Sequence, residues 1–375
     1  IKADGGRTLG QDVSWSFKVR SASAAGRDYY VAPNGKDDNP GTIEAPMRDV
    51  TAVSAMLQPG DRMILRGGTY DGFILIWGKG SPDSDPIVVK NYDGEEVYII
   101  NTVEASRNYI LYVGVSYNVR ISGLIATNEG SYVEDAQTLN YGMYVHQSKN
   151  VTIDHCTFYE GTGGLLIREN SENVTVHSNV FHDQDWRYGG ITMYNGVKNS
   201  NFYNNLFYDN YYGIQFYGGQ VQNNNFYNNT FYNNLTDVYF ASNSNAVLTG
   251  NAFESNIFSA PFLQDGSYVQ SNSFNHNLYN SDKLPESGVA LSQTFASWQT
   301  AGFDTDGRYA SAGFVNPEAK DFTLLSGSAA VGLAGDRFEL AVDFNDATRG
   351  DSKNAGAFNA LTGRKWYVSA VGSDT

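Results

Sequence analysis

Two markers recur in phase through the middle of this chain, and their recurrence restricts the fold more than any other feature. One marker reads Gly142-Met-Tyr-Val-His146, Gly164-Leu-Leu-Ile-Arg168, Gly190-Ile-Thr-Met-Tyr194, Gly213-Ile-Gln-Phe-Tyr217 and Asp237-Val-Tyr-Phe-Ala241, at steps of 22, 26, 23 and 24 residues. The other reads Cys156-Thr-Phe158, Asn179-Val-Phe181, Asn205-Leu-Phe207, Asn229-Thr-Phe231 and Asn251-Ala-Phe253, with Phe-to-Phe steps of 23, 26, 24 and 22. Short alternating segments at such a period stack as identical units around one elongated core. The expected fold is an all-β, right-handed, single-stranded parallel β-helix of about 22–26 residues per coil.

Equivalent positions of stacked coils lie about 4.8 Å apart, so each recurring residue becomes a ladder. The Phe line should stack inside. The Asn line should sit at a tight turn, where Asn tolerates the left-handed backbone and its amide bonds from coil to coil. Cys156 then reads as a small buried member of that ladder. Asn150-Val-Thr152 and Asn173-Val-Thr175 fall in repeat turns and read as ladder chemistry, not glycosylation sites. An open solenoid end needs a cap. Residues 44–58 have helical apolar spacing and end before Pro59-Gly60, so an N-terminal capping helix is expected there. Strands are expected at 62–65, 87–91 and 97–101, an insertion at about 128–140, and a less regular region at 281–325.

Composition narrows the function. The net charge of −15 disfavours nucleic acid and anionic membrane surfaces, which recruit Lys and Arg. A single cysteine excludes an intrachain disulfide, and no apolar run is long enough for a transmembrane helix. The chain starts at Ile1 without a signal peptide and reads as a piece of a longer protein.

Alternation along the Gly-led strands points Met143/Val145, Leu165/Ile167, Ile191/Met193, Ile214/Phe216 and Val238/Phe240 inward. The outward set is Tyr144/His146, Leu166/Arg168, Thr192/Tyr194, Gln215/Tyr217 and Tyr239/Ala241. A solvated strand face would carry Ser, Thr, Asn or Lys. This column of His, Arg and Tyr suits a sugar chain, whose C–H faces stack on aromatic rings. The turn before each such strand carries a second column, Glu160, Asp183, Asp209 and Asn233. Its enlarged member, His182-Asp-Gln-Asp-Trp-Arg-Tyr188, adds Asp185, Trp186 and Arg187 to the rim. The plain alternative is a solvated Asp/Asn turn ladder beside Tyr caps.

A resemblance enters here. Tyr29-Tyr-Val-Ala-Pro-Asn-Gly-Lys-Asp-Asp-Asn-Pro-Gly-Thr42 and Pro59-Gly-Asp-Arg-Met-Ile-Leu-Arg-Gly-Gly-Thr-Tyr70 resemble the opening of secreted β-helix carbohydrate enzymes. That group comprises polysaccharide lyases of the pectate, alginate and chondroitin types and some glycoside hydrolases. Asp321-Phe-Thr-Leu-Leu325, Asp343-Phe344, Arg349 and Gly356-Ala-Phe358 are similar to its closing segment. The resemblance implies a secreted or cell-surface bacterial protein acting on a polysaccharide, with a cleft where the strand face meets the preceding turn. Leu9-Gly-Gln-Asp-Val-Ser-Trp-Ser-Phe-Lys-Val19 resembles the final strands of a bacterial immunoglobulin-like module, and Arg364–Asp374 matches Arg27–Asp37 at a constant offset of 337. The expected division is therefore 1–25 as the end of such a module or a linker, 26–360 as the β-helix, and 361–375 as the start of a following repeat or a linker. Other domains of the same longer chain would be its neighbours.

Three functions compete. In β-elimination on a uronate-containing glycan, the resemblance implies a Lys or Arg base assisted by His or Tyr. Arg168 is the matching residue, with His146 and Tyr194 one coil away. Glu160, Asp183 and Asp209 offer oxygen ligands to Ca²⁺. In hydrolysis, Asp183 or Asp185 would act with Glu160 or Asp209 as the carboxylate pair. A non-catalytic glycan-binding or structural module would need only the aromatic face. In each reading Tyr144, Tyr217, Tyr239, Trp186, Arg187, Gln215 and Asp209 would contact substrate. The Asp-Pro-His-Asp motif of C5-epimerases is absent; His182-Asp-Gln-Asp185 is only superficially similar. From Asn199 to Asp282 there is no Lys or Arg, which counts against a long polyanionic substrate. Asp37, Asp38, Glu134, Asp135 and Asp346 read as turn or Ca²⁺-loop residues.

Overall fold

The computed structural model describes residues 26–100, 109–127, 140–185, 188–241, 246–260, 262–263, 270–283, 294–350 and 353–361. The immunoglobulin-like tail, the repeat opening at 364–374, Glu134, Asp135, Trp186 and Arg187 lie outside them. The described chain winds as a parallel β-helix of three sheets. The first sheet runs from Asp28–Val31 to Ser273–Asn275 in ten strands, and the third from Gly68–Asp71 to Arg308–Ala310 in ten. The second has eight, among them Ile74–Trp77, Tyr109–Gly114, Tyr141–His146, Gly163–Arg168, Gly189–Tyr194, Tyr212–Gly218 and Thr236–Phe240. Neighbours in each of the three are parallel and come from successive coils.

Inside the coil two Phe ladders run side by side. Phe158, Phe181, Phe207, Phe231 and Phe258 stack at 4.7–5.2 Å within the third sheet. Phe202, Phe226, Phe253 and Phe274 stack at 4.7–5.1 Å within the first. Each buried ring contributes on the order of 1.5–3 kcal/mol. The sequence reading joined these ladders wrongly: Phe253 follows Phe226, and the successor of Phe231 is Phe258. Both strands of that coil carry the same Asn-X-Phe pattern, so the pattern alone cannot choose the register.

Buried amides bind the coils at the turns. Asn179, Asn205, Asn229, Asn256 and Asn277 each donate Nδ2 to a preceding carbonyl and accept from the backbone N–H of the coil before, at 2.8–3.1 Å. The expected turn ladder is therefore present, with Cys156 at its start and fully buried, but the left-handed backbone expected of its Asn residues falls one position earlier, on His155, Ser178, Asn204, Asn228, Ser255 and His276. Asn150 and Asn173 are also ladder residues: both have positive φ, and the Asn173 amide donates to Asn150. Burying these amides without partners would cost about 1–3 kcal/mol each.

The N-terminal cap is shorter than expected. The helix spans Val50–Met56, with Asp49 accepting from the N–H groups of Thr51 and Ala52. Pro46 biases Ala45 away from helical backbone, and Met47 bridges to Val31 instead. Thr51 and Ser54 bond the backbone of Phe73 and Leu75, which seats the helix on the start of the second sheet.

The closing segment returns along the outside. Arg349, 7% exposed, donates to Asn204 Oδ1 and to the carbonyls of Gly356 and Ala357. Phe322 packs on Tyr208 and Tyr232, and Phe338 stacks on Tyr227. This segment covers the third sheet and part of the first.

Candidate functional site

The outer face of the second sheet carries an aromatic field. Its strands place Trp77, Gly114, His146, Arg168 and Tyr194 in register along one column. A parallel column reads Leu75, Tyr112, Tyr144, Leu166, Thr192, Gln215 and Tyr239. Rings join across coils: Trp77–Tyr112 at 5.7 Å, Tyr109–Tyr144 at 5.5 Å, Tyr188–Tyr217 and Tyr194–Tyr217 at 5.6 Å, and Tyr212–Tyr239 stacked at 4.4 Å. Gly163 makes room for a buried ring packed against Tyr144 and Tyr188, since a Cβ there would lie 2.4 Å from the Tyr141 ring.

Within this field Arg168 is flanked closely. Its guanidinium lies 5.5 Å from the Tyr194 ring centre, and Nη2 donates to Glu169 at 2.7 Å. Glu169 also accepts from Asn195. Burial works against the Glu169 charge, but Arg168 and Asn195 hold its carboxyl below the usual range. The Nε of Arg168 is buried with no protein partner. On the adjacent coil His146 Nδ1 shares a 2.8 Å hydrogen bond with the Tyr112 hydroxyl. Burial, and then the charge of Arg168, push His146 below its ordinary value, so it is neutral near pH 7. Burial pushes Tyr144 up to about 12, against the pull of Arg168.

The outward residues are not equally available. Tyr217 is 38% exposed, whereas Gln215 is 3% exposed and accepts from Thr192 beneath the rings. Leu166 and Ala241 are buried too. A bulge between Met193 and Tyr194 sets Tyr194 opposite Gly218, so Tyr217 meets Tyr194 by its ring and not by strand register.

The carboxylate column has different neighbours. Glu160, Asp183, Asp209 and Asn233 all have positive φ at the turn that precedes the second-sheet strands. Asp183 pairs with His182 at 2.7 Å, and His182 stacks between Tyr159 and Tyr208 on the third sheet. Asp209 accepts from Asn233 and pairs with Lys320 of the closing segment. Asp185 N–H bonds Gly161. The carboxylate beside Arg168 is instead Glu169, which the sequence reading missed. The signal was available: Gln147, Glu169 and Asn195 are the left-handed residues that follow His146, Arg168 and Tyr194.

Elsewhere, Asp37 pairs with Arg48 and Asp346 with His155. Among the described residues no group of three or more His, Cys, Asp or Glu could hold a metal ion.

Fold and face together define a parallel β-helix protein whose aromatic outer face, among the described residues, is interrupted by one paired guanidinium. A family model described as periplasmic copper-binding protein (NosD) matches residues 72–286, more than half of the chain, and the chain belongs to that family. Pectate lyase PEL9 of Emericella nidulans is 30% identical over 190 residues, covering 48% of this chain and 45% of that protein. Pectate lyase L of Dickeya dadantii is 28% identical over 186 residues, covering 47% and 42%. The chain thus spans less than half the length of these relatives. A solved structure described as a glycoside hydrolase covers 69% of this chain and 94% of its own at a TM-score of 0.50 and 8% identity, a likeness of fold alone.

The family description raises copper, and the donors on the described residues do not fit it. Cys156 is walled into a ladder with its thiol pushed up to about 12 by burial. Met143 and Met193 are core residues, and among the described residues no three His, Cys, Asp or Glu side chains come together to hold a metal.

Proposed function

We propose that this chain is an extracellular or periplasmic polysaccharide lyase that cleaves a uronate-containing glycan by β-elimination on the outer face of the second sheet. The observation that carries this reading is Arg168: a guanidinium on a side chain about one-third exposed (34%), set among sugar-sized aromatic rings and one coil from a neutral histidine. The similarity to two pectate lyases supports the same reaction class.

Each residue has a distinct task. Arg168 binds the uronate carboxylate and stabilises the charge that develops when C5 loses its proton. Arginine stays protonated in proteins, so the base is assigned to His146, which is neutral and within one coil. The electron pair left at C5 forms the C4–C5 double bond and expels the glycosidic oxygen, which takes a proton from a phenol, Tyr144 or Tyr194. Tyr217, Tyr239 and Trp77 hold neighbouring sugars by stacking.

A second reading, hydrolysis, rests on Asp183 beside His182 with Asp209 one coil away, and Glu160 and Asp185 on the same turns. A glycan panel of polyuronates and neutral polymers, with and without Ca²⁺, separates the readings. Unsaturated, ultraviolet-absorbing ends appearing with new reducing ends are expected. Reducing ends without absorbance would assign the chemistry to the carboxylates. Retention on a glycan with neither signal would leave a binding module.

A further inference from the structure

The aromatic face is electrically lopsided. His146 and Arg168 lie on the coils before Gly189, whereas beyond it the face is built from Tyr194, Tyr212, Gln215, Tyr217 and Tyr239. No Lys or Arg occurs between Asn199 and Asp282, a stretch containing every second-sheet strand from Tyr212 onward. Cations from later in the chain could still fold back over it, but those described go elsewhere. Lys283 lies over Tyr232 and Lys320 over Tyr208, both on the third sheet. Arg349 is buried against Asn204, Arg337 lies over Phe338, and Lys353 pairs with Asp336.

A uronate needs a counter-charge where it binds, from Arg, Lys or a bound cation. On this half of the face the described residues include neither a basic side chain nor an acidic cluster able to hold a metal. The surface is instead flat, phenolic and partly exposed, with Tyr212 and Tyr239 stacked at 6°. Such rings take the C–H faces of neutral sugars, and their hydroxyls bond sugar hydroxyls.

We infer that the coils carrying Tyr212, Tyr217 and Tyr239 are subsites for uncharged sugars, so that the substrate is a heteropolysaccharide whose uronates are separated by neutral residues and not a continuous polyuronate. This rests on the lyase reading of Arg168. One uronate sits at Arg168, and neutral sugars lie over the following coils.

The test compares kcat/KM on polygalacturonate and on a polymer alternating a hexuronate with a neutral sugar, using the intact chain. The alternating polymer should be preferred by about tenfold, the scale of a few stacking contacts against uncompensated charge. Tyr217→Lys adds a cation at an exposed position and should narrow that preference by roughly fivefold, the scale of one exposed charge pair. Equal or better turnover of polygalacturonate by the unmodified chain would overturn this inference and leave the lyase reading standing. Unsaturated product from neither polymer would overturn both.

Discussion

The second and third sheets both present tyrosine columns to the outside, yet the two columns have opposite fates. On the third sheet Tyr208 and Tyr232 are covered by Phe322, Phe314, Lys320 and Lys283 from the returning chain. They are cladding: their rings are spent on intramolecular burial. On the second sheet Tyr194 meets Tyr217 and Tyr212 stacks on Tyr239, and among the described residues none of the closing segment's aromatics packs on them. Identical side chains at equivalent ladder positions thus become packing or a binding surface according to where the last part of the chain lies. The carboxylates follow the same division. Asp183 and Asp209 belong with the clad sheet, and Glu169 with the open one.

That contrast can be broken in four ways. Phe322→Ala should cost about 3–5 kcal/mol of stability, because a 1%-exposed ring between Tyr208, Tyr232, Phe314 and Phe358 leaves a cavity. Thermal unfolding reads it, and turnover below the transition should be unaltered. Comparable damage to turnover would mean that the cladding shapes the site. Arg168→Ala should lower kcat by about two to three orders of magnitude, the usual effect of removing a charge-stabilising donor, with thermal unfolding nearly unchanged. Retained activity would move the site off the second sheet.

The pH profile gives a smaller effect. His146 acts as a base when neutral, and its folded value lies below the ordinary 6.5. Activity should therefore hold on the alkaline side and fall only as pH drops through that lowered value, a limb that His146→Gln should abolish. The same shift makes the unfolded chain bind the proton more readily, so this group destabilises the fold as pH falls below the unfolded value. An acid limb above 6.5 would assign the base elsewhere. The smallest expected effect is that of Asp183→Asn, which removes the charge and keeps a residue suited to the left-handed backbone there. Its side chain is 54% exposed and paired only with a neighbouring His182, so stability should change by less than about 1 kcal/mol. Lyase activity should persist; a collapse of turnover would favour the hydrolytic reading.

Much of this molecule follows from local pattern. The repeat length, the inward Phe and aliphatic positions, the Asn amide ladder at the turn and the burial of Cys156 are legible because each is imposed by residues within one coil and repeated in the next. The outward column from His146 through Arg168 to Tyr194 was legible for the same reason. Other features depend on where distant segments meet. Which Asn-X-Phe strand succeeds Phe231 depended on coil length, because two strands of one coil carry the same signature. Gln215 and Thr192 point outward as alternation demands, yet neighbouring rings bury them. Lys320 reaches Asp209 across 111 residues of chain. Periodicity dictates the direction of a side chain, since that is a property of backbone geometry. Whether the side chain meets solvent or another segment is decided by the path of chain that carries no period, and only the tertiary structure holds that path.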